Sequence, residues 1–244
     1  MNLLNEMYRL VEAAEKNKIQ IRAVGGLAVN VHNRKNHPFF IREYGDLDFA
    51  VAKKQRREFE SFMPTVGYSP HKQFNVLNGD VRQIYYHNES EMKIDVFVGD
   101  FEMCHKIPLE NRLAVEPYTI PLAELFLSKI QIIDLNEKDA KDIASLLLNA
   151  ETGNHDKETI NLKVLADLCS QDWGLYKTTS INLEKIQEVI NKTSLTADEK
   201  NLISQRREEI LQTFESMPKP LAWTLRDKVG TRVKWYIEVE EVRR

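Results

Sequence analysis

Three aspartates carry the chemistry that this sequence can be read for. Asp46 and Asp48 stand one residue apart in REYGDLDFAV, and Asp95 stands in KIDVFV. In the first segment Leu47, Phe49 and Val51 alternate with Asp46, Asp48 and Ala50, the period of a strand, so the two carboxylates share one face. At about 3.3 Å per residue their Cα atoms lie roughly 7 Å apart, close enough to converge on one hard cation. Asp holds its oxygens near the backbone and suits Mg2+ against phosphate oxygens at about 2.1 Å. Asp95 interrupts an apolar-lined strand, and burying it unpaired would cost several kcal/mol. A metal ion is one partner for it, and an Arg or Lys is the commoner one. Three carboxylates are the number that a two-metal phosphoryl-transfer centre uses. In that scheme Asp46 and Asp48 hold the metal on a triphosphate, Asp95 favours deprotonation of an acceptor hydroxyl, and pyrophosphate leaves. The expected cofactor is Mg2+, two ions, with Mn2+ as a substitute.

Acid-x-acid spacing recurs in this chain, at Glu58/Glu60, Asp100/Glu102 and Glu137/Asp139 among others, so Asp46/Asp48 gains meaning from what precedes it. Residues 19–24, IQIRAV, read as a strand that runs into Gly25-Gly26 and a short helical pattern from Leu27 to about His32. A strand, a glycine turn and a helix start expose backbone N–H groups to phosphate, although most such pairs are only turns. The loop 33–45 delivers Arg42 just ahead of the aspartates, where it meets a phosphate or caps the loop.

The elements that must position these residues follow from periodicity. Residues 2–17 read as an amphipathic helix and Lys53–Met63 as a helix that starts on four basic residues, Lys53, Lys54, Arg56 and Arg57, whose plain interpretation is a solvated face. From Val66 to Val98 the pattern is β, in VGYSPHKQFNVL, DVRQIYYH and MKIDVFV, with HNES as a turn. Pro121 opens a helix, PLAELFLSKIQIID, in which Lys129 falls inside the apolar stripe: either it snorkels to solvent or it is aimed at a triphosphate. NEKDAKDIASLLLNA is the next helix. AETGNHDKE marks a candidate boundary, and the chain beyond it reads helical over 158–170, 181–192, 197–215 and about 221–241, with breaks at Asp172–Gly174, Thr178–Ser180 and Met217–Pro220 and no β pattern. The expectation is an α+β domain over 1–152 and a C-terminal helical bundle over 153–244.

Bulk properties set limits. With 42% hydrophobic and 29% charged residues the chain is that of a folded globular protein, and its net charge of -3 gives no general attraction to nucleic acid or anionic lipid. Cys104 and Cys169 suggest neither a disulfide framework nor a zinc site. No apolar run approaches the roughly 20 residues of a membrane span and the N-terminal stretch lacks a leader's apolar core, so a cytoplasmic protein without a membrane partner is expected. Between Lys219 and Lys234 the basic residues Lys219, Arg226, Lys228, Arg232 and Lys234 stand among Trp223, Trp235 and Tyr236. Such a patch can hold RNA by phosphate contact and stacking, or it is an amphipathic helix with its rings in the core.

GGLAVNVH, REYGDLDFAV, KIDVFV, LSKI and KDAKDIASLL together resemble the nucleotidyltransferase superfamily with the polymerase-β-like fold, most of all its abortive-infection type Eii toxin branch, over about residues 19–149. The resemblance implies a mixed sheet flanked by helices, with Gly25 and Gly26 on the nucleotide and Asp46, Asp48 and Asp95 as catalytic metal ligands. It also implies that Lys129, Lys138, Asp139 and Asp142 line the nucleotide pocket; Arg42 is added to the nucleotide-binding residues from its place in the loop. The chain departs from the pattern in its long 27–45 segment and in having Asn136 or Glu137 where a basic residue often precedes K-D-x-x-D. The implied activity is transfer of a nucleoside monophosphate from an NTP, ATP included, to a hydroxyl of tRNA, another RNA, a protein or a small molecule, as the toxin of a toxin–antitoxin or phage-defence pair with an antitoxin protein as partner. The alternatives are an antibiotic-modifying nucleotidyltransferase and a non-catalytic nucleotide- or RNA-binding module.

Overall fold

Apolar side chains at strand and helix spacing place most of the first half of the chain around one sheet. The computed structural model describes residues 2–90 and 92–238. Helix α1 (Leu3–Lys16) starts at Asn2, whose side chain accepts the Asn5 amide at 3.1 Å, and it buries Met7, Leu10, Val11 and Ala14. Each of the larger three contributes about 1.5–3 kcal/mol by leaving water. The chain continues through β1 (Ile21–Val24), α2 (Gly25–Val31), β2 (Leu47–Val51), α3 (Arg56–Phe62), β3 (Tyr68–Pro70), α4 (Lys72–Asn78), β4 (Arg82–His87) and β5 (Lys93–Val98). The sheet order is β1-β2-β5-β4-β3; β2 and β5 are parallel and the other pairs antiparallel. Five of the six residues in β5 are buried, as suits the central strand of a covered sheet, and all four of the edge strand β1 are buried too. The outer side of β1 is met by the Tyr118 carbonyl, which accepts the Ala23 amide at 2.8 Å, and by the Ile120 amide, which donates to the Ala23 carbonyl at 3.0 Å. The short strands Phe101–Glu102 (β6) and Lys106–Ile107 (β7) follow.

The remaining elements are α5 (Leu122–Ile130), α6 (Glu137–Asn149), β8 (Glu151–Gly153), β9 (Thr159–Asn161), α7 (Leu162–Gln171), α8 (Trp173–Asn191), α9 (Ala197–Ser216) and α10 (Leu221–Val229). The architecture is α+β, with a mixed sheet and helices followed along the chain by a helix-rich part. By contacts the chain forms two compact units. The first comprises residues up to Val31, Ile41–Phe101 and Pro108–Pro121, and the second comprises His32–Phe40, Glu102–Ile107 and the residues from Leu122 onward. The boundary expected between 152 and 153 falls inside β8, within the second unit. Among the described residues no helix is long and apolar enough to cross a membrane.

Four local expectations are corrected. VGYSPHKQFNVL is strand only at Tyr68–Pro70; the following residues form α4, started by the His71 ring nitrogen, which accepts the Phe74 amide at 3.2 Å. Val76 and Leu77 on this helix are 84% and 76% exposed, so it has no apolar stripe to reveal its period. Beyond residue 150 there is β structure after all: β8 and β9 pair in parallel, Thr152 opposite Ile160. The break expected at Thr178–Ser180 is the middle of α8, because Thr178 and Thr179 are buried and Ser180 donates to the Tyr176 carbonyl one turn back at 2.9 Å. The final helix ends at Val229, and positions 239–241 of the span expected to 241 lie outside the described residues.

His32, in the second unit, is buried, and burial first, with Arg34 nearby, pulls its pKa down to about 4. The folded protein thus keeps this ring neutral while the unfolded chain protonates it near 6.5. Between those values the unfolded state binds the extra proton, so stability falls as pH drops from about 6.5 to 4, by about 1.4 kcal/mol per unit for this group. Urea unfolding at pH 7, 5.5 and 4.5 should show that loss, and His32→Gln should flatten it; equal slopes in both proteins would remove His32 as its source.

Candidate functional site

Register brings two of the three aspartates together. In the parallel pair β2/β5, Asp48 is the Cα partner of Asp95, and side chains at paired positions emerge on the same face. Asp46 lies one residue ahead of β2, and Lys93, two residues before Asp95, reaches both: its Nζ is 3.7 Å from Asp46 Oδ2 and 3.5 Å from Asp95 Oδ2. Asp95 is 2% exposed and is gripped by Arg82 of β4, whose Nε donates to Oδ1 at 2.7 Å and whose terminal nitrogen donates to Oδ2 at 2.5 Å. The guanidinium is held more firmly charged by this bond, with the Asp95 and Asp48 charges outweighing its desolvation. The partner that a mid-strand carboxylate requires is therefore an Arg and a Lys together.

Behind Asp48 stands the glycine turn. Gly25 has φ +72, in the left-handed region, and a β-carbon there would collide with the Asp48 carboxylate. Glycine at this place lets the backbone at the start of α2 lie directly against an acid of β2. A β-carbon on Gly26 would in turn run into the guanidinium of Arg42, which stacks over the Tyr44 ring at 4.4 Å. In the first unit, then, Asp46, Asp48 and Asp95 share one sheet region, Gly25 abuts Asp48, and Arg42 abuts Gly26.

The second unit holds the other predicted residues as a group of their own. Lys129 is 9% exposed on α5, with its Nζ 2.9 Å from Asp142 Oδ2 and 3.4 Å from Asp139 Oδ1, both on α6. Asn136 caps that helix, accepting the Asp139 amide at 2.9 Å and donating to Asp139 Oδ2 at 2.7 Å. A lysine in an apolar stripe is thus explained by two acids one helix away. Lys138 is exposed. The aromatic residues of the basic tail are engaged: Trp223 is 7% exposed and donates to the Cys169 carbonyl at 3.0 Å, Trp235 donates to Thr178 at 3.0 Å, and the Arg226 guanidinium stacks over Trp173 at 4.3 Å.

No family model and no curated protein matches the chain. Among solved structures the chain is similar to the solution structure of the antibiotic-resistance factor ANT(2'')-Ia, at 8% identity over 78% of this chain and 95% of that one, with a TM-score of 0.42. It is also similar to the crystal structure of an antigenic nucleotidyltransferase-like protein from Paracoccidioides brasiliensis, at 14% identity over 90% of this chain and 95% of that one, with a TM-score of 0.43.

Sequence reasoning did not single out Arg82 or Lys93. The second was within reach, since K-x-D on one strand puts both side chains on one face; the first lies across a hairpin whose register cannot be counted from the sequence. Among the described residues no group of three or more His, Cys, Asp and Glu side chains is arranged to hold a metal ion. Carboxylate oxygens are the donors that Mg2+ or Mn2+ takes. Both Asp95 oxygens are engaged by Arg82 and Lys93, and Lys93 reaches Asp46 as well; the carboxylates of Asp46, Asp48 and Asp95 are of the donor type that such an ion takes.

Proposed function

We propose that this chain is a Mg2+-dependent nucleotidyltransferase that moves a nucleoside monophosphate from an NTP to a hydroxyl acceptor, with pyrophosphate leaving. The observation that carries the reading is the register pair Asp48–Asp95 on parallel strands, with Asp46 just ahead and the left-handed Gly25 turn pressed against Asp48. Asp46 and Asp48 would hold the metal, which when bound supplies positive charge against the triphosphate. The Gly25–Gly26 amides and Arg42 would meet phosphate oxygens, and Arg82, shared between Asp95 and the Asp48 charge, would stabilise negative charge close by. Lys129 and Asp139, both in the second unit, are carried in the proposal as nucleotide-binding residues by the resemblance alone. The polymerase-β-like family, its Eii toxin branch, an antitoxin partner and an RNA, protein or small-molecule acceptor belong to this proposal.

One observation favours a second reading, a nucleotide- or RNA-binding module without turnover: Asp95 is clamped by two cations. Purified protein incubated with each α-labelled NTP, Mg2+ and total RNA, candidate proteins or hydroxyl-bearing antibiotics separates the two. Label should move to one acceptor class and should stop with chelator. Absence of transfer under every combination, with nucleotide binding retained, leaves the binding module.

A further inference from the structure

Away from the aspartates, the first unit carries a recess of about 440 Å³ lined by Lys53, Lys54, Arg56, Arg57, Glu58 and Asp80. Four cations against two acids is a local excess of +2 in a chain whose net charge is -3. Arg56 is fixed in place by Asp80, 78% exposed, and by Glu60 at 3.7 Å. Lys53, Lys54 and Arg57 are exposed, and no carboxylate among the described residues lies within ion-pair distance of them. Lys53 and Lys54 stand on a 3-10 turn, Lys53–Gln55, that leads into α3, and at three residues per turn Lys53 lies above Arg56 and Lys54 above Arg57, so like charges are neighbours. The backbone beneath is anchored by Glu110, which accepts the Lys53 amide at 2.6 Å. Lys53, Lys54 and Arg57 are thus held close together on a fixed turn beside an Arg56 that is already paired, an arrangement that an external polyanion relieves.

The lining selects among polyanions. It contains no aromatic and no apolar side chain, so it has nothing to stack on a base and nothing to form the apolar, lysine-poor core of a protein interface. Phosphodiesters, by contrast, are met by such surface cations through release of condensed counterions. We infer that this recess binds the sugar–phosphate backbone of a nucleic acid without regard to sequence. The assignment concerns binding alone and stands whether or not the chain transfers nucleotides.

The test is fluorescence anisotropy of the full chain with a labelled 20-nucleotide RNA hairpin and a DNA hairpin of the same sequence between 50 and 200 mM salt. Lys53→Gln/Lys54→Gln/Arg57→Gln, with thermal unfolding as the check on folding, should weaken both by at least about tenfold at low salt. It should also flatten the log K against log salt slope by about 2–3, one phosphate contact per lost cation. Asp80→Asn, which frees Arg56 and removes a negative charge, should tighten binding. RNA and DNA should agree within about threefold, because no lining group reads the sugar. Unchanged affinity in the triple variant overturns the inference. So does loss of binding only on Lys228→Gln/Lys234→Gln in the tail, or displacement by poly-glutamate as efficient as by unlabelled RNA.

Discussion

Asp48→Asn is expected to reduce the proposed nucleotidyl transfer by about 1,000-fold or more and to leave thermal stability within a few degrees. The amide keeps the shape of the carboxylate beside Gly25, where even a β-carbon on the glycine would not fit, so backbone packing at that contact survives. What is lost is one of the two charges expected to hold a cation on the triphosphate. Metal charge on a phosphoryl group contributes several kcal/mol to the transition state, and each 1.36 kcal/mol is a factor of ten in rate. Single-turnover rates with saturating NTP measure the chemical step, and a variant within threefold of the parent would remove Asp48 from the reaction. Asp46→Asn serves as the companion, since Asp46 stands 3.7 Å from Lys93 and shares the proposed donor role.

Arg82→Met lowers unfolding free energy by about 3 kcal/mol, at the lower end of the roughly 3–5 expected when one partner of a buried ion pair is removed. Asp95 is 2% exposed, and without Arg82 its two oxygens lose donors at 2.7 and 2.5 Å. Lys93 at 3.5 Å remains, and this keeps the loss from reaching the upper end. For a chain of this size about 2–4 °C of Tm accompanies each kcal/mol. Removing the charge that causes the penalty should restore stability: Arg82→Met/Asp95→Asn recovers most of the deficit in urea unfolding. If the double variant is as unstable as the sum of the singles, the pair is not coupled.

How much of this could be read beforehand depended on the range of the interaction. The aspartates, the glycine turn and the strand period around them were legible because alternation and turn chemistry are local. The pairing of Asp48 with Asp95 requires the parallel register of β2 and β5, between which the chain runs through α3, β3, α4 and β4. Lys129 was visible as misplaced, but its reason, Asp139 and Asp142, sits on another helix. α4 shows no period because most of its side chains face water, and α8 reads as two helices because Thr178, Thr179 and Ser180 are poor helix formers; the Thr178 and Ser180 hydroxyls find partners in the fold, and Thr179 is simply buried. α5 ends three residues earlier than its apolar pattern, where the Asn182 side-chain amide donates to the carbonyls of Ile130 at 2.8 Å and Ile132 at 2.6 Å. Tertiary structure overrides local preference at each of these points.

The second unit is assembled from three separate stretches of chain, and this bears on how it forms. Its contacts include Lys35 with Asn149, 114 residues apart, and His105 with Thr178, 73 apart, the latter at 2.8 Å through a ring that is 4% exposed. Closing such long loops costs entropy before any contact is gained, and high contact order slows folding. Cutting the chain at residue 121 would not release an independent module, since a fragment starting at Leu122 lacks the 32–40 and 102–107 stretches that complete it. Refolding should therefore be rate-limited by these closures, and fragment complementation would need all three stretches in one reaction.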